Sequence, residues 1–139
     1  MLVRLIYASR AAEPITAKML DTVLQQSRGY NQSRGITGVL CAHEAGNSFL
    51  QVLEGSRDEV NRLYNKIVRD PRHTDVLLLG YAEIGERRFS SWRMGRIDLN
   101  QVNPSTLLRY SERAELDPST LSTERALALL EELITTLAG

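Results

Sequence analysis

Asn47-Ser48-Phe49-Leu50-Gln51-Val52-Leu53-Glu54-Gly55 reads as a β-strand that opens after a turn and closes at a helix start. Strand side chains alternate between faces, so Phe49, Gln51 and Leu53 share one face and Leu50, Val52 and Glu54 the other. Gln51 is the anomaly, a neutral amide between two large apolar residues on a face that should be buried. A buried amide without partners costs about 1–3 kcal/mol, so Gln51 must have some. Backbone, another side chain or a ligand with a polar edge could each supply them.

On the N-terminal side, Glu44-Ala45-Gly46-Asn47 makes a hairpin turn back to a strand over residues 36–43. On the C-terminal side, Ser56-Arg57-Asp58-Glu59 has capping-box spacing. The helix it opens carries Val60, Leu63, Tyr64, Ile67 and Val68 on one stripe, and Asp70-Pro71 stops it. Further upstream, residues 2–8 form a first strand with Val3, Leu5 and Tyr7 on one face. A helix follows, started by Pro14 or capped by Thr16, with Ile15, Met19, Leu20, Val23 and Leu24 on its stripe. It runs to about Ser27 and ends at Gly29, leaving residues 29–35 as a loop.

Downstream, Val76-Leu77-Leu78-Leu79 is a continuous apolar run, typical of a buried strand. A last strand covers roughly Trp92 to Ile97, with Trp92 and Met94 on one face. The order β-α-β-β-α-β-β is that of an α+β, ferredoxin-like fold: a five-stranded mixed sheet with two helices on one face. After Asn100, Pro104 starts a short helix through Tyr110, and Pro118 ends a polar connector. Ser122 or Thr123 caps a final helix to Leu137, whose Leu127, Leu130, Leu133, Ile134 and Leu137 face one way. These helices are expected to cover the other sheet face, which carries Leu2, Ile6, Leu50 and Val52.

Composition narrows the function classes. The 139 residues suffice for one domain with a real core, and acidic and basic residues balance at 17 each. That balance argues against direct nucleic-acid binding or an anionic membrane partner, and it favours a homo-oligomer. Cys41 is the single cysteine, so a reducing, cytoplasmic setting is expected. No apolar run approaches the ~20 residues of a membrane span. Cys41 and His43 share a strand face, but two residues make no zinc site, and the plain reading is a core thiol and a surface imidazole. No phosphate-binding glycine loop, nucleophile elbow or triad spacing is present, so an enzyme is not expected.

Tyr7 and Gln51 are expected on one face of neighbouring strands, with Asn31 near the same end. A phenol, two amides and two apolar helix stripes would make a slot for a flat ring with amide-like edges, as a flavin has. From spacing alone, the plainer alternative is a Tyr–Gln hydrogen bond that satisfies a core.

Taken together, Tyr7, Asn31, Ile36-Thr37-Gly38, Phe49-Leu50-Gln51-Val52-Leu53-Glu54-Gly55, Asp70-Pro71-Arg72-His73, and Trp92 with Met94 resemble the BLUF domain, a family of blue-light receptors binding FAD. The resemblance runs from Leu2 to about Ile97. It implies a photosensory domain over residues 1–98 and a helical extension over residues 99–139 that mediates output or oligomerisation. It implies an isoalloxazine ring between the helices at residues 15–27 and 57–69. Asn31 would hydrogen-bond the ring's polar edge, Gln51 would bridge it to Tyr7, and Val23 and Ile67 would line it. Lys66 sits where relatives often have a basic residue near the flavin, and Asp70 and His73, in the family's post-helix segment, are cofactor-binding candidates with it. Tyr30 is a departure, since relatives commonly carry Asn or His at that position.

The implied response is a transient electron and proton transfer from Tyr7, after which the Gln51 amide rotates or tautomerises and flavin absorbance shifts to the red. Trp92 and Met94 are the candidates for the element that relays the change. With the chain ending at Gly139, the output is expected to pass to a partner, such as a cyclic-dinucleotide phosphodiesterase or a transcriptional regulator, or to alter assembly. A flavin-free interaction module of the same fold is the alternative.

Overall fold

The structure is a computed structural model and describes residues 1–117 and 120–137. Pro118 and the Leu137 side chain lie outside the described residues. Five strands, β1 (Leu2–Ala11), β2 (Thr37–His43), β3 (Ser48–Ser56), β4 (His73–Ile84) and β5 (Gly95–Asp98), form one sheet in the order β4-β1-β3-β2-β5. All pairings are antiparallel except β2 with β5. Helices α1 (Ala17–Gln32) and α2 (Arg57–Arg69) cover one face. Helices α3 (Pro104–Leu108) and α4 (Thr123–Leu137), after a 3₁₀ turn at Leu99–Gln101, cover the other. This is the ferredoxin-like arrangement expected, extended by one parallel strand and a second helical layer.

Strand alternation divides the sheet between two cores. Val3, Leu5, Tyr7, Phe49 and Leu53 pack under α1 and α2. Ile6, Leu50, Val52 and Ile97 pack against Ala126, Leu129, Leu130, Leu133 and Ile134 of the tail. Leu129 belongs to the α4 stripe although the sequence reading omitted it, and Leu127 is only partly buried. At about 25 cal/mol per Å² of apolar surface buried, each such leucine contributes on the order of 2 kcal/mol, so both layers matter to stability.

Two of the expected boundaries shift for identifiable reasons. Thr16, not Pro14, caps α1, its hydroxyl accepting from the Met19 N–H at 3.1 Å. The helix passes straight through Gly29 to Gln32. A helical glycine costs only about 1 kcal/mol, and the extra turn buries Asn31 to 1% exposure. The turn that follows is made at Gly35, whose φ of +66° is the left-handed conformation glycine adopts without strain.

The run 76–79 is not a buried strand. It lies in β4, the sheet edge, where Leu77 and Leu78 are 44% and 48% exposed. Two register shifts against β1 and a positive φ at Asp75 distort that edge, a common guard against strand-to-strand aggregation. Residues 92–94 are not strand either, because β5 starts only at Gly95. Trp92 and Met94 consequently point to opposite sides, Met94 into the core under α1 and α2 and Trp92 against the core under α4. His43 is buried at 6% exposure and is not a surface imidazole.

Candidate functional site

The site is built on a register match. Tyr7 and Gln51 are direct partners across the β1–β3 ladder, and their side chains rise on the face under α1 and α2. The Tyr7 hydroxyl donates to Gln51 Oε1. Gln51 Nε2 in turn donates to Met94 Sδ at 3.2 Å. All three side chains are buried, at 1%, 5% and 2% exposure. One amide end has a strong partner and the other a thioether, which is a weak acceptor. Burial, with smaller contributions from Tyr64 and Asp70, pushes the Tyr7 phenol above its ordinary range, so it stays protonated and neutral.

Above this pair lies a cleft of about 330 Å³, within the range of small-molecule sites. One wall is α1, through Met19, Val23, Tyr30 and Asn31; the other is α2, through Leu63, Lys66 and Ile67. The floor is Tyr7, Leu40, Phe49 and Gln51, and Asp70, Arg72 and His73 close one end. Eight residues singled out from the sequence, Tyr7, Val23, Asn31, Gln51, Lys66, Ile67, Asp70 and His73, therefore line one cavity. Met94 reaches it through the Gln51 amide, whereas Trp92 lies across the sheet. Met19, Gln26, Ser27 and Leu63 also line it and were not singled out. Their helical spacing with Val23 and Ile67 was the signal that pointed to them.

The cleft has the polarity of its expected occupant. Asn31 Nδ2 donates to the Arg93 carbonyl at 3.2 Å, but Asn31 Oδ1 is buried without a partner. An orphaned acceptor in a slot with apolar helix walls suits a planar ring bearing an N–H at its edge, so the residues fit a flavin. The Arg34 guanidinium stands 3.8 Å and Lys66 Nζ 4.5 Å from the ring centre of Tyr30, a cleft residue, so a tyrosine fits here among cations. Arg72 bonds Asp70 at 2.6 Å and Gln26 at 3.1 Å, tying the two helices together at the His73 end. The Arg72 hydrogen bond holds the Asp70 carboxyl below its usual range. Burial lowers the His73 imidazole, which lies 2.8 Å from Ser9 Oγ.

A residue the sequence reading passed over is Glu54. It is fully buried on the opposite sheet face, paired with Arg4 at 2.8 Å. Its carboxylate also accepts from the Arg88 N–H at 3.1 Å and the Phe89 N–H at 2.7 Å. It thereby anchors the loop that leads to Met94. Arg4 interrupting an apolar strand, with an acid on the same face of β3, was the available signal. No group of metal-ligating side chains and no helix long and apolar enough to cross a membrane occurs among the described residues.

Comparison with known proteins bears on the family and the fold. A family model described as BLUF, sensors of blue-light using FAD, matches residues 2–95. The chain is 36% identical over 94 residues to the photoactivated adenylate cyclase subunit beta of Euglena gracilis, a match covering 67% of this chain but 11% of that protein. The chain thus spans about a ninth of the length of that curated relative. Among solved structures, BlsA in its photo-activated state is 34% identical with a TM-score of 0.82, covering 96% of this chain and 95% of that one. BlrP1 of Klebsiella pneumoniae, solved with FMN and cyclic diGMP, is 30% identical with a TM-score of 0.71, covering 95% of this chain and 35% of that one.

Proposed function

The chain belongs to the BLUF family of flavin-binding sensors of blue light, and from that premise we propose that it is a photoreceptor holding FAD between α1 and α2 and signalling through the Tyr7–Gln51 pair. The observation that carries the proposal is the buried Tyr7–Gln51–Met94 chain under a cleft whose one orphaned acceptor is Asn31 Oδ1. FAD, not a shorter flavin, is supported by the family's description and by Lys66 in the cleft wall, with Arg34 beside it across the Tyr30 ring, cations a diphosphate could meet.

When bound, a flavin supplies a strong oxidant on absorbing blue light. Tyr7 is the donor: its phenol is held protonated, and Gln51 Oε1 is in place to take the proton that leaves with the electron. Gln51 Nε2 is held only by a thioether, so once the Tyr7 hydroxyl has given up its proton the amide turns at small cost. Asn31 orients the ring's polar edge, Val23 and Ile67 line it, and Asp70 and His73 close the slot. Residues 1–98 are the sensor, and residues 99–139 pass the change to a partner protein or to a second copy of the chain. The fused cyclase among the relatives and the cyclic diGMP in a structural neighbour support a cyclic-nucleotide effector as that partner.

The test is an absorption spectrum of the purified protein before and after blue illumination. A yellow protein with a reversible red shift and no bleaching is the expected result. A colourless protein would favour the flavin-free interaction module, and bleaching of the flavin absorbance, as on reduction, a redox enzyme.

A further inference from the structure

Residues 92–94 lie outside the sheet, yet each of their three consecutive carbonyls is held. The Gly38 N–H donates to Trp92 O at 2.8 Å. Asn31 Nδ2 donates to Arg93 O at 3.2 Å. The Arg28 guanidinium donates to Met94 O through Nε at 3.3 Å and Nη2 at 3.1 Å. Two of the three holders thus come from the last turns of α1, one of them a cleft residue. The segment they fix joins the two sides of the sheet. Met94 Sδ receives the Gln51 amide, while the Trp92 ring packs beside Ile134 of α4 at Gly95.

The three holders differ in kind. Gly38 uses backbone, and Asn31 is buried beneath the cleft. Arg28 is a surface side chain whose two bonds converge on one oxygen. Its acidic neighbour on α1, Asp21, is engaged with Arg96 at 3.0 Å. Charged donors make the stronger hydrogen bonds, so Arg28 is the firmest polar hold on the Met94 backbone.

We propose that Arg28 is a positioning residue, a surface catch on the Met94 carbonyl that seats the Met94 thioether on the Gln51 amide. Through that seat it sets how long the light-adapted arrangement lasts and how closely Trp92 is held against α4. The inference rests on the photoreceptor reading above for its kinetic consequence, but not for the catch itself.

The experiment compares Arg28→Ala, Arg28→Lys and, as a control that breaks only the neighbouring ion pair, Asp21→Asn. Two readouts are taken on the flavin-loaded proteins: dark recovery of absorbance after blue light, and acrylamide quenching of Trp92, the single tryptophan of the chain. Freeing the Met94 carbonyl weakens the dark-state seat, so Arg28→Ala recovers at least about threefold more slowly and its tryptophan is more accessible in the dark. Arg28→Lys, which keeps one charged donor, lies between, and Asp21→Asn behaves as wild type. Recovery of Arg28→Ala at the wild-type rate overturns the proposal. Should Arg28→Ala not fold, Arg28→Lys decides on the same criteria. Should the wild type show no light-induced shift, the photoreceptor reading falls separately, and unchanged quenching in Arg28→Ala then overturns the catch.

Discussion

Replacing Gln51 by leucine removes the amide from the buried chain while keeping an apolar side chain of similar bulk. The Tyr7 hydroxyl, 1% exposed, then loses the acceptor it now has in Gln51 Oε1. Leaving a buried hydroxyl unsatisfied costs about 1–3 kcal/mol. The lost contact to Met94 Sδ adds little, because sulfur is a weak acceptor. Tyr7→Phe is expected to cost a similar amount, since it leaves Gln51 Oε1 without a donor. The double variant removes both polar partners at once, so its cost should fall short of the sum of the singles by at least about 1 kcal/mol. Urea unfolding of the four proteins measures this cycle. The optical assay runs in parallel: Gln51→Leu keeps the flavin but shows no light-induced red shift, and Tyr7→Phe loses the normal photocycle. Strict additivity in the cycle, or a full red shift in Gln51→Leu, would refute the reasoning.

Glu54→Ala leaves Arg4, 11% exposed, without its carboxylate and strips two loop N–H groups of their acceptor. A loss of about 3–5 kcal/mol in urea unfolding is expected, and a loss under about 1 kcal/mol would mean the pair is dispensable. Gly38→Ala would set a methyl group 2.0 Å from the Val52 carbonyl oxygen, forcing β2 off β3. It should cost more than about 2 kcal/mol by the same measurement, and near-neutrality would show that the strands are free to separate. His73 titrates below its ordinary value of 6.5, chiefly through burial, with Asp70 opposing and Arg72 adding to the shift. Well above pH 6.5 the imidazole is neutral in both states. Below it, the unfolded chain takes up the proton first, so stability falls with pH until the folded imidazole titrates too. The drop in Tm between about pH 7.5 and about pH 5.5 should therefore shrink in His73→Gln, and an unchanged drop excludes this group.

Much of the site was legible because it rests on strand periodicity. Alternation alone puts Tyr7 and Gln51 on one face, and the ferredoxin-like order makes their strands neighbours. That they are direct register partners was beyond reach, since β1 and β3 are joined through α1 and β2 and no tight turn between them fixes their register. Alternation also misled. Applied to residues 92–97 it placed Trp92 and Met94 together, but residues 92–94 hang from donors in α1 and β2 and follow no pleat. Gly29 misled for the opposite reason: local propensity read a helix end, while burial of Asn31 favoured one more turn. An apolar run such as 76–79 fits an edge strand as well as a central one, and only the strand order tells them apart. Glu54 shared with Gln51 the mark of a polar residue among apolar neighbours. Its meaning needed the cross-strand match to Arg4, which pairs with it in the ladder.

The loop from β4 to β5 is fastened to β3 at two points of unequal strength. At its near end, the Glu54 carboxylate takes two backbone N–H groups, and the Arg87 guanidinium bonds the Glu54 carbonyl at 3.3 Å and Thr37 Oγ1 at 3.0 Å. At its far end, beyond apolar packing, Met94 meets the same strand through a thioether on the Gln51 amide. A charged, buried hold of several bonds exceeds by a wide margin the 0.5–1.5 kcal/mol, roughly, that one re-paired amide supplies. A rearrangement at Gln51 therefore has nowhere to act on this loop except its far end. That end is held by α1 and β2 through its carbonyls and carries Trp92, which touches the tail layer, so its thioether link to Gln51 is the point where a change of about one hydrogen bond can reach the opposite face of the sheet. A stronger acceptor than sulfur at position 94 would hold the amide more tightly and pass on less.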